Sequence, residues 1–354
     1  MKVGLFMKML AFMIAGLIFF IFYLYFFVGF NDIIEVFRSI DPFEYSFYYL
    51  ASITALLVSM LFYSMSWNCL MRALSINVGL KKSLTYCWLG NFVDLIIPFE
   101  TVSGEITRVY LVYRETGSPS GKIIASVVVH RIITMFITLS GLIFASTFLI
   151  VKYNIGAETL YLLLLIILGS LLSLGILFYL ALSEEATGKI IDMPIKIITF
   201  LIRGRFDPSD LREKAYQNLM HFHSGFKFFS KNRRALAESI TYSFAAWFLH
   251  LSIYFLVFYA LGLRWISIKI CETIVVYSVS VALQYTPIAP PLGLVEIVMT
   301  SLYTLFKVPA AVSGTATLLI RAITFWFQIV VGYAVAQWIG VKNLLLKSFK
   351  ETST

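Results

Sequence analysis

The sequence predicts an all-α integral membrane protein of about six spanning helices plus two re-entrant helical hairpins, set in two inverted-topology repeats. Three observations lead there. Of 354 residues, 60% are hydrophobic and only 13% charged, with a mean hydropathy of +0.87. A soluble domain carries roughly 25% charged residues, and this chain has too few to cover a water-facing surface. Several apolar runs exceed the roughly 20 residues that cross a bilayer. Finally, Arg131 in RIITMF (131–136) returns as Arg321 in RAITFW (321–326), each inside a long apolar run where charge is costly.

The first run, residues 9–30, is longer than a signal-peptide core, and no small-residue cleavage site follows it, so it reads as a retained membrane helix. Further spans are expected at 45–66, 123–151, 159–182, 237–261 and 312–341. Two apolar segments are interrupted. One, about 84–97, is broken by Pro98 and Gly104; the other, about 272–306, is broken at Pro287, Pro290, Pro291 and Gly293. Proline removes a backbone donor and clashes with the preceding turn. Irregular backbone at membrane depth survives only inside protein or beside a watery cavity.

Charge sets the orientation. The segment 31–44 holds Asp32, Glu35, Asp41 and Glu44 against Arg38, a net −3, whereas 183–236 holds ten Lys or Arg against six acids, a net +4. Cytoplasmic loops collect Lys and Arg. With both broken segments as hairpins and the N-terminus inside, 21 of the 28 basic residues fall inside and 5 outside. Both termini are then expected in the cytoplasm of a multi-pass cell-membrane protein. Residues 1–354 read as a single polytopic membrane domain, with 183–236 as a basic cytoplasmic linker. Two stretches of that linker mix apolar and basic residues, as amphipathic helices on a lipid surface do.

An ordered series of features occurs twice. Glu105 precedes Arg131 by 26 residues and Glu296 precedes Arg321 by 25; Pro98 and Gly104 match Pro290 and Gly293; Gly141 matches Gly332; Ala73-Leu74 matches Ala260-Leu261. The units are placed at 45–150 and 237–341. On the charge-derived topology the Arg131 helix runs inside to outside and the Arg321 helix the reverse. Inverted repeats with interrupted helices at matching places point to a transporter's central site.

NFVDLIIPFETVSGEITR (91–108), HRIITMF (130–136), PIAPPLGLVE (287–296) and LLIRAITFWFQIVVG (318–332) resemble the flippase-like family, the transmembrane region of lysylphosphatidylglycerol synthases. The resemblance covers most of the chain. It implies movement of a lipid with a polar headgroup between leaflets. Ser103 stands where the family often has glycine, and His130 where it often has glutamate. No soluble aminoacyl-transferase domain follows Thr354, so lipid synthesis is not expected of this chain.

The candidate substrate-binding residues are Arg131, Arg321, Glu105, Glu296, Arg108, Gly104, Gly293, Asn91 and His130. An intramembrane arginine faces a cavity or a partner, and its planar fork suits phosphate. An internal lock with Glu105 or Glu296 is the other open reading. Gly104 and Gly293 are expected to open the second limb of each hairpin, where free N–H groups attract an anion, or else to let backbones pack closely. Ser103 is a candidate cap. The glutamates can cap helix starts, neutralise arginine, receive a headgroup amine or carry a coupling proton. Arg108 is expected at the cytoplasmic mouth. Asn91 and Gln284 read as hydrogen-bonding glue between helices, and Trp247 and Trp265 as interfacial belt residues. Asp94, Trp88 and His130 carry weaker claims.

No catalytic residue, metal ligand or cofactor is expected. Cys69, Cys87 and Cys271 are dispersed, and the chain lacks a Walker A lysine motif. The expected partners are membrane lipids, with a homo-oligomer or a separate lipid-synthesising enzyme also open. The net charge of +9 needs no nucleic acid, since an inner basic face meets anionic lipid. The alternatives to lipid transport are an intramembrane enzyme acting on lipid phosphates or glycosyl carriers, with Glu105, His130 and Arg131 as its constellation, and a non-transporting accessory subunit.

Overall fold

The computed structural model describes residues 14–97, 102–152, 156–201, 209–284 and 292–340. Every regular element among them is helical. In chain order they are α1 (Ile14–Val28), α2 (Phe30–Arg38), α3 (Pro42–Ala73), α4 (Leu80–Ile96), α5 (Ser103–Thr116), α6 (Ser120–Lys152), α7 (Ala157–Leu182), α8 (Glu184–Leu201), α9 (Ser209–Lys231), α10 (Arg233–Ala260), α11 (Ile270–Gln284), α12 (Leu294–Leu305) and α13 (Ala310–Ile339).

Five of these helices are long and apolar enough to cross a membrane: α3, α6, α7, α10 and α13. The count becomes six if α1 and α2 are one span, but a 79° bend separates them. The bend sits at Gly29, whose φ of +86° suits glycine and little else. The first span expected over 9–30 is helical from Ile14 to Val28 among the described residues, and the chain turns at Gly29 at its end. The other expected spans all coincide with long helices.

The two interrupted segments become pairs of short helices. α4 has 17 residues and α5 has 14; α11 has 15 and α12 has 12. All are shorter than the roughly 20 residues of a spanning helix. Contacts from Lys82 to Glu115 at one end, and from Asp94 to Ser103 at the other, make α4 and α5 antiparallel. Pro98, Pro287, Pro290 and Pro291 lie outside the described residues.

α3 and α10 form the longest helix–helix contact. Ser59 Oγ donates to the Ala246 carbonyl at 3.0 Å, and Ser66 Oγ lies 2.8 Å from Ser239 Oγ and 2.7 Å from Ser243 Oγ. Position falls along α10 as it rises along α3, so the helices are antiparallel. Small hydroxyl residues let two backbones approach and bond inside lipid.

Around this pair the units exchange partners: α6 packs on α11, and the second half of α13 packs on α4. The matched glycines explain the fit. A Cβ on Gly332 would overlap Phe92 of α4, and one on Gly141 would sit 2.8 Å from the Trp247 ring of α10. Trp247 therefore packs between helices, against Gly141 and the Tyr277 ring, instead of serving the expected belt. The two largest apolar cores lie around Trp67, Leu70, Met71 and Val112, and around Tyr254, Phe258, Met299 and Tyr303.

The segment 183–236 folds into α8 and α9. α9 lies against α6, with Phe222 and Phe229 buried in the first core and the Asn218 backbone touching Gly121. Protein thus covers the Phe222 and Phe229 side of α9, while Met220 and Phe228 stay exposed.

Candidate functional site

Each unit brings its glutamate to its arginine. In the second unit, Gly293 adopts φ +95° and N-caps α12. Glu296, one turn on, accepts the Gly293 N–H on Oε2 at 2.6 Å and Arg321 Nε on Oε1 at 2.5 Å. Both side chains are 3% exposed. The guanidinium lies 4.7 Å from the Phe325 ring centroid, and α13 is π-wound over Ala322–Phe327 immediately beyond it. Such windings are frequent at functional sites.

In the first unit the same tasks are divided differently. Asp94, at the end of α4, accepts the Gly104 N–H at 2.6 Å and Ser103 Oγ at 3.0 Å on one oxygen. Ser103 therefore donates to Asp94 and does not cap α5, whose N-cap position is Val102. Glu105 is left to two arginines: Arg108 Nη2 donates to its Oε1 at 3.3 Å, and Arg131 Nη1 to the same oxygen at 3.5 Å. Arg108 is 4% exposed, so it does not stand at an open mouth as expected. It is drawn inward because its guanidinium lies 5.1 Å from the Trp67 ring and 5.7 Å from Tyr63, within cation–π range.

Arg131, Glu105, Arg108 and His130 thus share one polar cluster in the first unit, and Arg321 and Glu296 form a second. His130 is 1% exposed and its ring lies 4.5 Å from Tyr63. Gly104 packs against the Gly90 carbonyl and Asp94, so its missing side chain is needed for the close approach of α4 and α5. Asn91 joins the units: its amide donates to Gln328 Oε1 of α13, and Leu95, Leu292 and Phe325 pack beside that bond. Among the described residues no group of three His, Cys, Asp or Glu is placed to hold a metal ion.

Two site residues escape sequence reasoning. Tyr63 and Trp67 are two more aromatics in an aromatic-rich chain; the trace they leave is an i, i+4 spacing on one helix face. Asp94, given only a weaker claim by the sequence, is an acid ending an apolar limb just before a break.

The sequence profile of the lysylphosphatidylglycerol synthase TM region matches residues 13–332. Curated relatives are archaeal. A UPF0104 membrane protein of Pyrococcus horikoshii is 24% identical over 294 residues, 78% of this chain and 82% of that protein. One from Methanocaldococcus jannaschii is 27% identical over 312 residues, covering 87% and 88% respectively. One from Methanothermobacter thermautotrophicus is 23% identical over 318 residues, covering 88% and 90%. No solved structure matches. The chain belongs to the lysylphosphatidylglycerol synthase TM-region family and is a multi-pass membrane protein.

Proposed function

We propose that this member of the family is a lipid carrier, moving an anionic or zwitterionic phospholipid or polyprenyl-phosphate-type lipid between bilayer leaflets. The observation that carries the reading is the duplicated Glu–Arg pair, one per unit, each joining the start of a short helix to the middle of a long one. A charge that is costly in lipid is provided twice, at matching places, as a two-sided headgroup passage needs.

In this reading the units 45–150 and 237–341 are inverted repeats about a pseudo-two-fold axis in the membrane plane, and the short-helix pairs are re-entrant hairpins, one from each face. The antiparallel crossing of α3 and α10 supports it. Ser59 and Ala246, at the crossing, are 187 residues apart, the same offset that matches Ala73 to Ala260. Residues at a two-fold axis are expected to meet their own equivalents. The exchanged packing of α6 on α11 and α13 on α4 fits the same axis. The headgroup passes between the polar clusters while acyl chains stay in lipid, and rocking of one unit against the other alternates access. In this reading both termini lie on the cytoplasmic side of a cell membrane, which the charge balance supports. A separate lipid-synthesising enzyme supplies the substrate.

The test is leaflet exchange of a fluorescent anionic phospholipid in proteoliposomes, followed by mass analysis of the extracted lipid. The expected result is exchange well above protein-free vesicles, with the lipid chemically unchanged. Exchange no faster than in protein-free vesicles overturns the carrier reading, and a modified lipid favours an intramembrane enzyme.

A further inference from the structure

In the first unit's polar cluster, the buried atoms Glu105 Oε2 and His130 Nε2 have no hydrogen-bond partner among the described residues. Such groups are rare, because a buried acceptor without a donor costs about 1–3 kcal/mol. The second unit shows what the first omits. Glu296 Oε2 is satisfied by the Gly293 N–H, but the matching N–H of Gly104 is taken by Asp94. The second oxygen of Glu105 is thereby left available.

The two residues are linked through Arg108 and Tyr63. Arg108 bonds both Glu105 Oε1 and, at 3.4 Å, the Tyr63 hydroxyl, and the Tyr63 ring carries His130. Arg131 bonds the same Glu105 oxygen as Arg108. Its bond to Glu105 is long, 3.5 Å, and its side chain is 19% exposed, where Arg321 has 2.5 Å and 3%. Arg131 is therefore the more accessible of the two arginines.

We propose that the first unit's cluster is the headgroup subsite, and that it takes a lipid phosphate ester whose headgroup carries an O–H or N–H donor beside the phosphate. The inference rests on the carrier reading of this site. Arg131 grips the phosphate with two parallel hydrogen bonds. Arg108 is a positioning residue: held on Trp67 and Tyr63, it keeps Glu105 Oε1 neutralised when Arg131 turns away. Glu105 Oε2 then accepts the headgroup donor, with His130 Nε2 as the second polar atom of the cluster. A choline headgroup offers no N–H or O–H, so it gains the phosphate contact alone.

Native mass spectrometry of the full chain in detergent micelles tests this, using equimolar dioleoylphosphatidylglycerol and dioleoylphosphatidylcholine. The wild-type protein is expected to retain the glycerol lipid about tenfold over the choline lipid, the factor one hydrogen bond to a charged group supplies. Arg131→Gln is expected to lose both lipids, and Arg131→Lys to keep part of the binding. Glu105→Gln is expected to keep binding while its preference falls several-fold. A wild type that retains both lipids equally, or a Glu105→Gln protein with undiminished preference, overturns the proposal. Arg131→Gln retaining lipid at the wild-type level also overturns it. Parallel melting curves guard against misfolding: lipid loss in Arg131→Gln with an unchanged Tm supports binding, whereas equal destabilisation in Arg131→Gln and Arg131→Lys assigns Arg131 a scaffold role and overturns it. Glycerol 3-phosphate is the soluble arm; stabilisation equal to that by the lipid overturns the lipid assignment. Selective binding without leaflet exchange in proteoliposomes would defeat the carrier reading and leave the subsite standing. Exchange that ignores Arg131 and Glu105 would do the reverse.

Discussion

Glu296 and Glu105 hold matching places at the start of α12 and α5, yet they are used differently. Glu296 spends one oxygen on its own helix cap and the other on Arg321, and nothing of the carboxylate is left over. Glu105 gives one oxygen to two arginines while Asp94 does the capping. The two matching places are thus filled with unequal polarity. The second pair is fully buried, with both partners 3% exposed; the first is more accessible, with Arg131 at 19% and Glu105 at 12%. Of the two glutamates, only Glu105 keeps an oxygen without a hydrogen-bond partner among the described residues.

The largest effect expected from this contrast is on stability. Breaking a buried pair by removing one partner costs about 3–5 kcal/mol, because the other charge is left uncompensated. Arg321→Gln and Glu296→Gln are each expected to cost that much in denaturant or thermal unfolding in detergent. The double variant Glu296→Gln/Arg321→Gln is expected to recover most of it, and leaflet exchange with it. Arg131→Gln is expected to cost far less, since Arg108 stays on Glu105, while exchange falls. Equal stability losses at Arg131 and Arg321 would erase the division of labour.

A second change makes the units alike. Arg108 follows Glu105 by three residues; the residue three beyond Glu296 is Met299, fully buried. Arg108→Met gives the first unit the second unit's side chain. It removes a charged hydrogen bond, at about 1.5–3 kcal/mol, and the thioether packs on Trp67 in partial compensation. Exchange is expected to fall with it, because Glu105 then holds Arg131 alone and ties it down. Faster exchange would show that Arg108 restrains the ligand site instead of supporting it.

The matched glycines offer a third comparison. Gly332→Ala sets a methyl group into the Phe92 Cβ, which is close to the backbone and has little freedom to yield. Gly141→Ala meets the edge of the Trp247 ring, which can tilt. Overpacking costs about 1–3 kcal/mol, and Gly332→Ala is expected to lie above Gly141→Ala within that range. Tm shifts in detergent measure both.

Much of this frame was legible in the sequence because lipid makes charge conspicuous. Two arginines in apolar runs, each a fixed distance behind a glutamate and a glycine, stand out where background charge is scarce. The spans were legible by length alone. What stayed hidden depends on tertiary placement. Asp94 becomes a cap only once α4 folds back on α5, and no spacing rule links it to Gly104, ten residues on. Tyr63 and Trp67 are unremarkable until Arg108 is laid across them. The amphipathic pattern of α9 was visible, but a pattern does not say whether lipid or α6 covers it.

The smallest expected effect concerns the boundary between the units. Asn91 of α4 donates to Gln328 of α13, and Gln328 in turn donates to the Thr324 carbonyl at 2.7 Å. Interhelical hydrogen bonds in membranes average about 0.6 kcal/mol and reach about 1.7. A cycle of Asn91→Ala, Gln328→Ala and the double variant is therefore expected to give a coupling near the lower figure, read from unfolding in detergent. The size bears on mechanism. If one unit rocks against the other, the contacts between α4 and α13 must open in every transport cycle, and a weak bond there is compatible with that motion. A coupling above about 2 kcal/mol, beyond the range measured for such bonds, would make this boundary a rigid joint. Motion would then have to occur within a unit, between its short-helix pair and its long helices. In that case Asn91→Ala should leave exchange unchanged, whereas a rocking boundary predicts that loosening it alters the exchange rate while Tm moves by no more than a few degrees.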